Sequence, residues 1–159
     1  MHLAFSSMNT PSDPPPAELA VALEQRGFES LWYGEHSHIP CCRSTPYPPG
    51  GDMPAPYRNM MDPYLSLMTA ANATTTLRLG TGIALLMERE IFSQAKTIAS
   101  LDRLSGGRVM IGTGVGWNQE EFDAALETLQ ATGDFEYALD LGMNDQGEWY
   151  PYAFSPFLQ

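Results

Sequence analysis

The chain of 159 residues is short of positive charge, and what it has runs out early. Eight Lys and Arg stand against nineteen Asp and Glu, a net charge of -11. Beyond Arg108 there is neither Lys nor Arg, while acids continue from Glu120 and Glu121 to Glu148. Such a balance repels phosphate backbones and anionic lipid, so no nucleic acid and no membrane is expected as partner. The acidic block reads as a solvated face. Long apolar runs are also missing. None approaches the roughly 20 residues that cross a bilayer, and Met1-His2 leads into a strand-like segment instead of a charged leader. The expectation is a soluble, cytoplasmic protein.

Cysteine is nearly absent too. Cys41 and Cys42 are adjacent, a placement that rarely forms a bond, so no disulfide framework is expected. With His36 and His38 they make the run HSHIPCC, but the second spaced pair that structural zinc sites use is lacking. No metal is expected.

What is present is a globular composition, 43% hydrophobic and 11% aromatic, long enough for one domain with a core. His2 to Ser6 fits a buried strand. A Pro- and Ser-rich loop, Asn9 to Pro16, follows, with Asp13 as a cap for a helix over Ala17 to Arg26 that stops at Gly27. Ser30 to Gly34 is a second strand. Glu35 to Met61 lacks periodicity and is rich in Pro and Gly, and a loop of that length inside a domain is functional or disordered. Asp62-Pro63 opens a second helix to Thr74. Leu77 to Leu86 is a third strand interrupted by Gly80 and Gly82, a pattern that suggests a bulge. Ile91 to Leu104 is a helix ended by Ser105-Gly106-Gly107, and Arg108 to Gly112 is a fourth strand. Asn118 and Glu121 form a capping box for a helix over Gln119 to Ala131. Beyond Gly133 the pattern dissolves, with a short helix over Phe135 to Leu141 and an aromatic tail from Asn144 to Gln159.

Strands alternating with helices and lacking any hairpin indicate an α/β fold with a parallel sheet. Four βα units amount to half of a TIM (β/α)8-type barrel, which typically needs about 250 residues. An open doubly wound sheet fits less well, because its Gly-rich fingerprint belongs after the first strand and here follows the fourth. The chain thus divides into a half-barrel domain, residues 1–133, and an irregular acidic and aromatic C-terminal tail, 134–159.

In such folds ligands lie at the carboxyl ends of the strands. Those ends carry Ser6-Ser7, Glu35-His36, Gly82-Ile83-Ala84 and Gly112-Thr113-Gly114-Val115-Gly116. The last run has little side-chain bulk to keep a ligand from its backbone N–H groups, and it is either a plain strand-to-helix turn or a ligand cradle. His36 is either a structural hydrogen-bonder or a proton carrier, with Glu35 able to tune it.

Three stretches resemble a known family. GFESLWYGEHSHIP, YRNMMDPYLSLMTAANATTTLRLGTGIALL and AKTIASLDRLSGGRVMIGTGVGWNQEEF look like the bacterial luciferase-like monooxygenase superfamily, closest to its coenzyme F-420-dependent oxidoreductase branch, over about Leu3 to Asp123. The resemblance implies a barrel that binds a deazaflavin, or alternatively FMN, at the strand ends and transfers hydride to or from a small organic substrate. It implies a non-prolyl cis peptide at Gly82-Ile83 behind the ring. It also implies His36 at the ring or in proton transfer, a cofactor-phosphate contact from Gly114 to Asn118 with Val115 and Gly116 between, and hydroxyls near the cofactor from Thr81 and Thr113. Glu35 joins His36 as a catalytic candidate; Ser6 and Gly112 complete the expected cofactor rim. Val115 stands where some sugar-phosphate dehydrogenase relatives place a carboxylate. Full-length relatives are longer and supply later strands, so a second reading is a truncated, non-catalytic remnant that at most binds cofactor. Open strand edges and an exposed inner face lead to the expectation of a homo-oligomer.

Overall fold

Three consecutive prolines, Pro14 to Pro16, decide how the first helix starts. A capping carboxylate accepts from the N–H groups two and three residues on. After Asp13 those residues are Pro15 and Pro16, which have no N–H. In the computed structural model, which describes residues 2–132, Asp13 turns back instead. Its Oδ2 accepts from the Thr10 N–H at 2.8 Å and from the Ser7 hydroxyl at 3.0 Å. Helix α1 (Pro16–Gln25) begins behind Pro15 with no side-chain cap, which corrects the expectation placed on Asp13.

The remaining elements follow the anticipated alternation: β1 (Ala4–Ser7), β2 (Ser30–Tyr33), α2 (Pro63–Ala73), β3 (Arg78–Leu85), α3 (Ile91–Ser105), β4 (Val109–Gly114) and α4 (Gln119–Thr132), with short 3-10 turns at Ala55–Asn59 and Leu86–Glu88. Asp62 caps α2 as expected, accepting from the Leu65 N–H at 3.0 Å. Gly106, at φ 77°, ends α3 in the left-handed conformation that favours glycine. The tail helix, the aromatic tail and the division after residue 133 lie outside the described residues.

The four strands form one parallel sheet in the order β1-β2-β3-β4. Alternate side chains leave opposite faces. One face carries Leu31, Tyr33 and Leu79, each 0–1% exposed, beneath Ala20 and Leu23 of α1, Leu67, Ala70 and Ala71 of α2 and Leu101 of α3. This is the core, and burying each such side chain contributes roughly 1.5–3 kcal/mol. The other face, which in a closed barrel points inward, holds the exposed Ala4 and Ser6 and the half-buried Trp32. Four parallel strands with helices on one face are half of a barrel wall.

The glycines of β3 and β4 are explained by packing on that inner face. A Cβ at Gly80 would meet the Trp32 ring at 2.3 Å, and one at Gly112 would meet the Thr81 carbonyl oxygen at 2.6 Å. One at Gly114 would lie 2.3 Å from the Ile83 Cδ1. The strand also runs further than its sequence suggests. A register shift between Thr81 and Ala84 lets Thr113 pair with Ala84 and Gly114 with Leu85, so β4 ends at Gly114 and not Gly112. Three of the five residues of the expected glycine loop, Gly112 to Gly114, are therefore strand.

Glu24, at the end of α1, fastens the turn before β3. Its Oε1 accepts from the N–H groups of Thr75, Thr76 and Leu77 at 2.9, 2.6 and 2.9 Å and from the Thr76 hydroxyl. Burial alone would raise this carboxyl, but the N–H groups of Thr76, Leu77 and Thr75 outweigh it and hold it down at about 2. A depressed folded pKa stabilises the protein above the unfolded value and is lost as pH falls through the folded one. The melting temperature of Glu24→Gln should therefore lie below that of the wild type at pH 6, and the gap should shrink below pH 4.5 and close towards pH 2. Thermal melts of both proteins across that range check it.

Candidate functional site

At the end of β2 the chain places a carboxylate beneath the sheet edge. Glu35 is 4% exposed, and both of its oxygens are engaged. Oε2 accepts from the Leu85 N–H at the end of β3 at 2.8 Å, and Oε1 accepts from Arg89 Nε at 2.5 Å. Arg89 reaches on to Asp62 at 2.8 Å and lies 4.9 Å from the Tyr64 ring centroid. Burial pushes the Glu35 carboxyl up, with the Leu85 N–H and Arg89 acting against it. The expectation that Glu35 stands at the rim needs correction. Its neighbours are an arginine and a backbone amide, so it ties two strand ends to α2 from below.

His36, one residue on, faces a different set of partners. Its Nδ1 lies 2.6 Å from Glu121 Oε2 in the first turn of α4, and the two side chains are 8% and 2% exposed. The expected capping box does not form, because the Glu121 carboxylate is drawn to the imidazole and both polar atoms of the Asn118 side chain lack a partner. Tyr57 and Trp117 meet the imidazole edge-on at centroid distances of 5.4 and 5.9 Å, and Tyr47 packs on both at 5.5 and 5.6 Å. The long loop 35–61 thus folds over the strand ends. Glu120 secures it, accepting from the N–H groups of Ser44 and Thr45 at 2.6 and 3.0 Å, which hold its carboxyl well below the usual range.

The β3 and β4 ends adjoin this cluster. The Gly82–Ile83 peptide is cis, at the register shift, and both residues are exposed. Thr113 and Val115 are exposed, Gly116 adopts φ 79°, and Ser6 is exposed on β1. Thr81 is fully buried, and its hydroxyl is spent on the Gly112 carbonyl at 3.0 Å. Asn118 is 2% exposed with its amide oxygen and nitrogen both unpartnered. Ser6, Gly82, Ile83, Thr113 and Val115 are thus each accessible at or near the carboxyl ends of their strands, whereas Thr81 and Glu35 are buried.

The profile of the luciferase-like monooxygenase family matches residues 9–135. The chain belongs to that family. An uncharacterized protein of Mycobacterium tuberculosis is 42% identical over 109 residues, 67% of this chain and 39% of the relative. The coenzyme F420-dependent tetrahydromethanopterin reductase of Methanopyrus kandleri superposes with a TM-score of 0.56 at 29% identity, over 77% of this chain and 29% of that one. The oxygenating constituent of 3,6-diketocamphane monooxygenase of Pseudomonas putida, solved with FMN, gives a TM-score of 0.60 at 16% identity, over 99% of this chain and 45% of that one, a likeness of fold alone. The chain spans about two fifths of the length of the mycobacterial relative. Among the described residues no helix is long and apolar enough to cross a membrane.

The residues fit a flat ring with a polar tail. The exposed Gly82–Ile83 segment offers backbone and a branched aliphatic side chain, and the buried unpartnered Asn118 amide offers a donor and an acceptor two residues after the turn at Gly116. Sequence reasoning missed Arg89 as the partner of Glu35 and Glu121 as the partner of His36. The latter pair lies 85 residues apart, and no local spacing signals it. Removing one partner of a buried ion pair costs roughly 3–5 kcal/mol. Arg89→Ala should lose about that much in urea unfolding, whereas Arg89→Ala with Glu35→Leu should recover part of it.

Proposed function

We propose that this chain carries the cofactor edge of a coenzyme F-420-dependent oxidoreductase that exchanges hydride with a small organic substrate. The observation that carries it is the accessible edge formed by Ser6, Gly82–Ile83 and the β4 turn, with the Asn118 amide unpartnered beside it. The likeness at 29% identity to a coenzyme F420-dependent reductase supports the deazaflavin over other ring cofactors. When bound, the deazaflavin would supply the hydride-transfer chemistry. Gly82 and Ile83 would support its ring, Gly112 would let the strands approach there, and Gly114, Val115, Gly116 and Asn118 would hold its tail, with Thr113 at the margin.

His36 moves the accompanying proton. Nδ1 held by the Glu121 carboxylate fixes the ring so that Nε2 is left for exchange with a substrate hydroxyl. Glu35 and Thr81 act as positioning residues, the first through Leu85 and Arg89, the second through the Gly112 carbonyl. Tyr47 and Tyr57 flank the imidazole and define the substrate side. A second reading, an FMN-dependent monooxygenase, is favoured by the fold likeness to an enzyme solved with FMN. On either reading a homo-oligomer completes the inner face that is exposed among the described residues, which light scattering would report as a dimer or larger.

Titration with oxidised F-420 and with FMN, followed by fluorescence quenching, tests the assignment. Saturation by F-420 at low micromolar concentration and weaker binding of FMN are expected. The reverse order would favour the monooxygenase reading, and no binding of either at tens of micromolar would favour a non-catalytic remnant. His36→Ala should bind the cofactor within a few-fold of wild type and lose about 100-fold or more in turnover, the scale of general acid–base catalysis. Unchanged turnover would remove the role assigned to His36.

A further inference from the structure

Beside the His36–Glu121 pair, Glu121 also meets two side chains, His38 and Glu88, that neither hydride transfer nor the cofactor edge uses. His38, Glu88 and Glu121 each bring one ligand-type atom, and these atoms lie within 4.8 Å of one another. They come from the long loop, the 3-10 turn after β3 and the first turn of α4, so three separate elements meet there. We propose that His38, Glu88 and Glu121 bind one divalent transition cation of the Mn2+ or Zn2+ kind.

The Glu121 carboxylate carries the argument. The residue is 1% exposed, its Oε2 is taken by His36 at 2.6 Å, and its Oε1 is buried with no hydrogen-bond partner. A buried carboxylate oxygen without a donor is costly unless a proton or a cation compensates it. No Lys or Arg among the described residues is paired with Glu121 or Glu88, and Arg89 is committed to Glu35 and Asp62. The other two donors are pre-set. The Ser37 N–H holds Glu88 Oε2 at 3.1 Å, and the Ser37 hydroxyl lies 2.9 Å from His38 Nδ1, leaving Nε2 of that ring to bind. Donors about 2.1 Å from one cation stand roughly 3–4 Å apart, so only small side-chain adjustments close the set. One imidazole with two carboxylates suits a borderline divalent ion better than a thiol-seeking one. A cavity of about 330 Å3 lined by His38, Glu88, Ala125 and Thr128 gives the ion and its remaining waters room. Glu121 would then be shared, one oxygen on the cation and the other orienting His36.

Manganese is the probe of choice because it binds oxygen and imidazole and avoids the exposed Cys41 and Cys42. The loss of the free Mn2+ signal in electron paramagnetic resonance reports binding with no organic cofactor present, so it is independent of the hydride-transfer reading. Wild type should bind one Mn2+ per chain at tens of micromolar. Glu88→Gln and His38→Ala should each bind at least tenfold more weakly. The double variant Cys41→Ser with Cys42→Ser should bind as wild type does, and Mn2+ should raise the melting temperature of wild type but not of Glu88→Gln. No saturable binding below a millimolar would overturn the proposal and leave a proton as the group between the carboxylates. Equal affinity in wild type, Glu88→Gln and His38→Ala would overturn it as well, as would loss of binding in the double cysteine variant.

Discussion

A buried carboxylate, Glu35, is the constraint on which the described half-barrel depends. It stands at the end of β2, bonds the Leu85 N–H at the end of β3, and through Arg89 reaches Asp62 at the start of α2. Burying a charge is expensive unless it is paired and hydrogen-bonded. Here both oxygens are satisfied, so the cost is offset only when three elements take up one relative position. That fixes where the strand ends open. His36 follows directly and meets Glu121 in the first turn of α4.

The inner face has a second constraint, one of space. Trp32 lies across Gly80, the Thr81 carbonyl lies against Gly112, and Ile83 lies over Gly114. The glycines that suggested an open ligand cradle are thus required first by the close approach of β3 and β4. The two roles do not compete. Strands that approach this closely, with a register shift at Thr81 to Ala84, push Gly82 and Ile83 outward to the accessible edge. At Gly116 a residue with a side chain would be strained by the φ of 79° and would press on Leu85 at 3.2 Å, so the turn into α4 also needs glycine.

Most of the fold was legible because it rests on local chemistry: helices stopped by Gly27 and Gly106, a cap at Asp62, and strand-like segments alternating with helical ones. Where the reading failed, a tertiary partner or a missing N–H decided. Asp13 had prolines where a cap needs donors. Glu121 sits at the capping-box position, yet the imidazole of His36 claimed it from 85 residues away. β4 ran two residues beyond its expected end because the bulge in β3 renewed the ladder. The candidate site was legible as a set of strand ends and not as a set of partners. His36 was visible in the sequence, but the carboxylate that orients it and the arginine that anchors its neighbour were not.

On the proposed function, the strand ends from Ser6 through Gly82–Ile83 to the turn before the buried Asn118 receive the cofactor. Amide hydrogen exchange of the protein with and without oxidised F-420 tests this most directly, because it reports where the ligand sits and not only whether it binds. Slowed exchange at Ile83 and from Val115 to Asn118 is expected, with the outer faces of α1 and α2 unchanged. Protection confined to the helical faces, or to the aromatic loop with the β3 and β4 ends unaffected, would contradict it.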